Sequence, residues 1–150
     1  MTSRHTQTEV PYSADQMFAL VADVERYPEF LPWCVGLRVI ERSETKITAD
    51  MIVAYKVFRE RFRSRVTLDP ESRRIDVAYV DGPFRNLENR WRFTDKPSGG
   101  PSSGSVIDFD IEFEFRNFLL QATAQAVFDK AFARMSEAFV KRAHEVYGIK

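Results

Sequence analysis

Four carboxylates at alternate positions, Asp108, Asp110, Glu112 and Glu114, form the densest acidic cluster in the chain. Paired carboxylates can share the work of general acid and general base. In "SVIDFDIEFEF", however, every acid is followed by a large apolar residue. At strand period, Ile107, Phe109, Ile111, Phe113 and Phe115 take one face and the four acids the other. The spacing predicts a solvated sheet face. Arg59, Arg61, Arg63 and Arg65 make a complementary basic row, with Arg90 and Arg92 on a third strand. Two chemistries suit such rows. One is cross-strand ion pairing, worth roughly 0.2–1 kcal/mol per pair. The other is contact with RNA or anionic lipid, since residues 56–92 hold ten Lys or Arg against six Asp or Glu.

Classical reactive groups are scarce. His5 and His144 lie one near each terminus, and Cys34 follows Trp33 in an apolar setting. No spacing among them matches a metal site, a Ser-His-Asp or a Cys-His pair, and there is no glycine-rich phosphate loop. The expectation is no catalytic residue and no metal. Two polar residues stand out because they share rows with apolar ones. Asn89 falls among Leu87, Trp91 and Phe93, where an inward amide needs partners or a polar ligand group. Glu60 opens the row Phe62, Ser64, Val66, either solvated at a strand end or acting as a polar handle at a cavity mouth. With a tyrosine such as Tyr55 or Tyr79, these two are the only inward candidates for acid–base chemistry, which disfavours an enzyme.

The elements that position these residues follow from pattern. Residues 5–11 alternate weakly, as a short strand. Ser13 and Gln16 form a capping-box signature, with Tyr12 and Met17 as its staple, before a helix that places Met17, Phe18, Val21 and Val24 on one face. Pro28 opens a second short helix and Pro32 ends it. Period-two strands are expected over 35–43, 46–57, 59–69, 73–80, 86–95 and 105–115, with 96–105 as a flexible hairpin loop. From 117 to about 147, Phe128, Ala131, Phe132, Met135, Phe139 and Val146 recur at helical spacing. Such a helix is roughly 45 Å long, enough to cross a sheet whose strands span roughly 35 Å. The order predicts one α+β domain over residues 1–150, a curved antiparallel sheet of about seven strands wrapped on a long C-terminal helix. Between them a cavity can form, and Tyr27 to Cys34 is expected as its lid or rim.

The bulk numbers restrict the function. Lys plus Arg and Asp plus Glu are 22 each, so no global field attracts DNA. One cysteine and no apolar leader suit a cytoplasmic protein. The 13 phenylalanines exceed what a core of this size obviously needs.

The segments "YPEFLPWCVGLRV", "ERFRSRVTL", "DGPFRNLENRWRF" and "DFDIEFEFRNFLL" resemble the coenzyme Q-binding family of the START-like superfamily of polyketide cyclases and lipid-transport proteins, over roughly residues 5–148. The resemblance implies a helix-grip fold with a hydrophobic tunnel and no catalysis. It implies ubiquinone or a prenylated precursor as bound ligand, and a role in quinone synthesis and respiration. Absence of a transit peptide points to a bacterial member, cytoplasmic or peripheral to the inner membrane through transient contact. The same family contains a ribosome-association toxin, so the alternative partner is the ribosome, met through the basic strand faces. For the ligand, Phe30, Leu31, Trp33 and Phe84 are expected at the rim. Leu87, Trp91, Phe109, Phe113, Phe128 and Phe132 are expected in the wall, with Asn89 and Glu60 as polar contacts.

Overall fold

The computed structural model describes residues 2–55, 58–97 and 104–148. Chain entry is set by the capping box. Ser13 accepts from the Gln16 amide while the Gln16 side chain accepts from the Ser13 amide, starting α1 at Ala14–Ala22. Tyr12 and Met17 are both fully buried beside it. A single 3-10 turn, Val24–Arg26, leads to the short helix α2, Tyr27–Phe30, with Pro28 in its first turn.

Seven strands form one antiparallel sheet: β1 Thr2–Val10, β2 Cys34–Arg42, β3 Lys46–Tyr55, β4 Phe58–Asp69, β5 Arg74–Asp81, β6 Phe84–Asp95 and β7 Ser105–Phe115. Their order is β1-β7-β6-β5-β4-β3-β2. The first strand therefore closes against the last, and the six strands from β2 to β7 follow one another as a meander. Register shifts interrupt β2, the β4–β5 pair and the start of β6. Such bulges bend a strand and raise its twist, which curves the sheet. Strand β7 buries Ile107, Phe109, Ile111, Phe113 and Phe115 and turns its four acids away, as its alternation predicts.

Helix α3, Phe118–Tyr147, lies against the concave face. The Asn117 side chain caps it by accepting from the Leu120 amide at 2.9 Å. Its contact stripe is aromatic. Phe128 meets Phe62, Phe84, Phe113 and Phe115; Phe132 meets Phe109; Phe139 meets Trp91. At the far end the Tyr12 hydroxyl donates to the Gly148 carbonyl, and the Tyr147 hydroxyl donates to the Gln16 carbonyl at 2.8 Å. Those two bonds fasten the end of α3 to α1.

The strand boundaries differ from the sequence reading mainly at the start, where pairing with β7 extends β1 back to Thr2. A weakly patterned edge strand is held by its neighbour's backbone, which no local pattern announces. Of the expected hairpin loop at 96–105, residues 98–103 lie outside the described residues.

Candidate ligand cavity

Aromatic side chains on one helix stripe meet the sheet only where the two surfaces approach. Along the middle of α3 the face carries Val127, Ala131 and Met135 between the phenylalanines, and the sheet curves away. A cavity of about 170 Å³ remains. Its floor comes from β2 to β7, its roof from α3, and one side from Val24, Tyr27, Leu31 and Trp33 around the short helices.

The wall is apolar almost throughout, and none of the described residues lining it is Asp, Glu, His, Lys or Arg. Two tyrosines reach it, and the hydroxyls of both already have partners. The Tyr27 hydroxyl donates to the Val21 carbonyl, and that of Tyr79 accepts from the Phe84 amide at 3.1 Å. Burial pushes both phenols above their ordinary pKa, so both stay protonated. Ser64 and Asn89 are the remaining polar residues in the wall. The Asn89 Oδ1 atom is buried and has no hydrogen-bond partner. Sheet register explains why. Asn89 pairs with Val77 on β5 and Ile111 on β7, so both in-plane neighbours are apolar.

The expected site residues divide in two. Leu31, Trp33, Leu87, Asn89, Trp91, Phe113, Phe128 and Phe132 all line the cavity. Phe30, Phe84, Phe109 and Glu60 do not. Phe84, expected at the rim, is 2% exposed and stacks on Phe115 with centroids 4.8 Å apart. Phe109, expected in the wall, sits behind it, packed on Trp91 at 4.4 Å and Phe132 at 5.4 Å. Phe30 packs outward against Tyr27 and Phe139, with the Arg142 guanidinium over its ring at 5.2 Å. Glu60 shares the row of Phe62 and pairs with Val53, which lines the cavity, but is not itself among the lining residues. Strand alternation gives a side chain's face, and these four show that it does not give depth. The segment from Tyr27 to Cys34 is a packed wall rather than a loose rim, with Leu31 and Trp33 buried. Cys34 is buried next to it. Burial pushes its thiol up to about 11.

Residues absent from the sequence reading of the site also line it, among them Leu37, Met51, Val77 and Met135. Their signal was weak, being ordinary apolar residues on the inward face of strands β2, β3 and β5 and of α3. Half of the arginines in the rows are paired, Arg61, Arg63 and Arg90, while Arg59, Arg65 and Arg92 are exposed. Arg63 donates to Asp50 at 2.8 and 3.1 Å, Arg61 reaches Asp50 at 3.1 Å and Asp81 at 3.4 Å, and Arg90 reaches Glu88 at 3.0 Å. Among the described residues, no His, Cys, Asp and Glu group could hold a metal, and no helix is long and apolar enough to cross a membrane. The Tyr55 side chain is not among those described.

Residues 10–140 match the family model for polyketide cyclase / dehydrase and lipid transport. The chain belongs to this family. It is similar to the ribosome association toxin RatA of Escherichia coli (strain K12), 39% identical over 143 residues, which are 94% of this chain and 86% of that protein. The mitochondrial coenzyme Q-binding protein COQ10 homolog B of Xenopus laevis is 33% identical over 138 residues, 91% of this chain and 56% of that protein. Among solved structures, a START superfamily protein from Mycobacterium smegmatis superposes with a TM-score of 0.80 over 96% of this chain and 98% of that one. At 18% identity that likeness concerns the fold, and it makes the helix-grip architecture START-like.

Proposed function

We propose that this family member is a non-enzymatic carrier that binds a hydrophobic molecule, ubiquinone or a prenylated precursor, and exchanges it with a membrane. The observation that carries the reading is the cavity itself, apolar over most of its wall with one unpartnered amide oxygen. Ligand sites are built this way, with a few placed polar groups in an apolar wall. The described lining residues offer apolar contacts, two tyrosine hydroxyls already engaged in hydrogen bonds, Ser64 and Asn89, a lining suited to binding. The coenzyme Q-binding name of one relative supports the same reading.

The energetics favour exchange over extraction. Removing apolar groups from water contributes roughly 0.8 kcal/mol per CH₂. A tail that starts in a bilayer is already in an apolar medium and gains almost nothing. Such a protein works at the cytoplasmic side of a bacterial inner membrane, through transient contact. Organic extraction of the purified protein followed by mass spectrometry tests this. Ubiquinone or a prenylated precursor at near-stoichiometric amount is the expected result. An empty protein that also takes up no quinone from vesicles overturns it.

A second reading rests on the relatives named as ribosome association toxins. In it the outer strand face contacts the ribosome through its arginines. Ribosome co-sedimentation that falls steeply with added salt is the expected signature, because phosphate contacts release counterions. Quinone capture is nearly insensitive to salt.

A further inference from the structure

We propose that the cavity is a site for a single hydroxylated aromatic ring, a phenol or quinol headgroup, whose hydroxyl donates to Asn89 Oδ1. The inference rests on the carrier reading above and names which part of the ligand the cavity holds, and in which form. Two independent observations carry it, one of volume and one of hydrogen bonding.

The volume is about 170 Å³. A dry cavity of about 150 Å³ lined by Leu, Ile and Phe is enough to bind benzene. One substituted ring therefore fits here, and a polyisoprenoid tail beside it does not. Any tail must leave the enclosed space, so ring recognition and tail burial are separate tasks in this protein.

The hydrogen-bonding observation concerns what the ring must carry. A row of inward residues crosses the sheet from Ile111 through Asn89, Val77 and Val66 to Ile47, and Asn89 is its one polar member. Its Oδ1 is a buried acceptor with nothing to accept from. Buried polar atoms left without partners are few in folded proteins, and each costs free energy. No hydroxyl in the wall relieves it: that of Tyr27 donates to the Val21 carbonyl, and neither that of Tyr79, which accepts from the Phe84 amide, nor that of Ser64 is bonded to Asn89 Oδ1. The missing partner is a donor. An aromatic hydroxyl supplies one; a quinone carbonyl or an aryl ether supplies only acceptors.

Titration calorimetry with 4-butylphenol and its methyl ether, 4-butylanisole, tests the assignment on the unmodified protein. The two differ by the hydroxyl proton and one methyl group. The phenol is expected to bind at least about 10-fold tighter, a difference of about 1.4 kcal/mol. In Asn89→Leu the preference is expected to disappear while the anisole still binds. That variant removes a buried unsatisfied acceptor, so its melting temperature is expected to hold or rise. Equal affinity for phenol and anisole in the wild-type protein overturns the donor assignment while leaving an apolar carrier intact. Failure of both probes, and of quinone from vesicles, removes the carrier reading as well. A phenol preference that survives in Asn89→Leu also overturns the proposal, since the hydroxyl is then read elsewhere.

Discussion

The indole of Trp91 on β6 meets the ring of Phe139 on α3 at a centroid distance of 5.2 Å, inclined by 69°. Edge-to-face pairs of this kind hold beyond their buried area. Here the pair closes the cavity between sheet and helix, and Phe139 also contacts Tyr27 and Phe30. One ring thus joins three elements. Phe139→Ala is expected to cost about 3–5 kcal/mol. In a domain of this size that lowers the melting temperature by about 10 °C. A loss within 2 °C in a thermal scan counts against Phe139 as the joint between helix and sheet.

Ala131 lines the cavity from the middle of α3. Its small side chain leaves space that a larger one would occupy. Ala131→Leu is expected to fill part of the void, lowering ligand uptake at least about 10-fold while leaving the melting temperature unchanged or higher. Uptake from vesicles and a melting curve, measured on the same preparation, check both halves.

The Cys34 thiol is buried beside the cavity wall and donates weakly to the Gly36 carbonyl at 3.6 Å. Burial raises its pKa from 9.0 to about 11. Since the thiolate is the nucleophile, iodoacetamide at pH 8 is expected to alkylate the native protein far more slowly than the urea-unfolded chain. Linkage has a definite sign here. The raised pKa contributes stability below pH 9.0, and that contribution fades as pH rises towards about 11. Cys34→Ala is expected to flatten this part of the alkaline decline in the urea midpoint.

Asp50 anchors the outer arginines, and the hydrogen bond from Arg63 holds its carboxyl below the ordinary 3.8. A lowered carboxylate pKa contributes stability above 3.8 that is lost as pH falls through the folded value. Asp50→Asn is expected to remove that contribution, about 1 kcal/mol at neutral pH for a pair at the surface. It also releases Arg61 and Arg63. If the outer face meets RNA, the variant should bind ribosomes more tightly and with a steeper salt dependence. Unchanged co-sedimentation would separate those arginines from any ribosomal contact.

Much of the architecture was determined by local pattern. The alternation in "SVIDFDIEFEF" dictates which face of β7 is buried. Ser13 and Gln16 start α1 because their side chains satisfy each other's free amides. The spacing of Phe128, Phe132 and Phe139 places them on one helical stripe, and all three face the sheet. Asn89 was legible as an inward polar residue for the same reason, since period two admits only one other face.

What the tertiary structure alone decided is depth. Phe84 and Phe113 both point inward, yet only Phe113 borders empty space; Phe84 is packed beneath Phe62, Phe115 and Phe128. Likewise Trp91 borders the cavity while Phe109, its cross-strand partner, lies behind it. Whether an inward ring becomes wall or core depends on how far the bulged sheet bends from α3 at that point. That separation is set jointly by seven strands and one helix, through contacts distant in sequence, so no window of neighbouring residues encodes it. The orphaned oxygen of Asn89 has the same origin. Its partners are missing because register sets Val77 and Ile111 beside it, and register is a property of the assembled sheet.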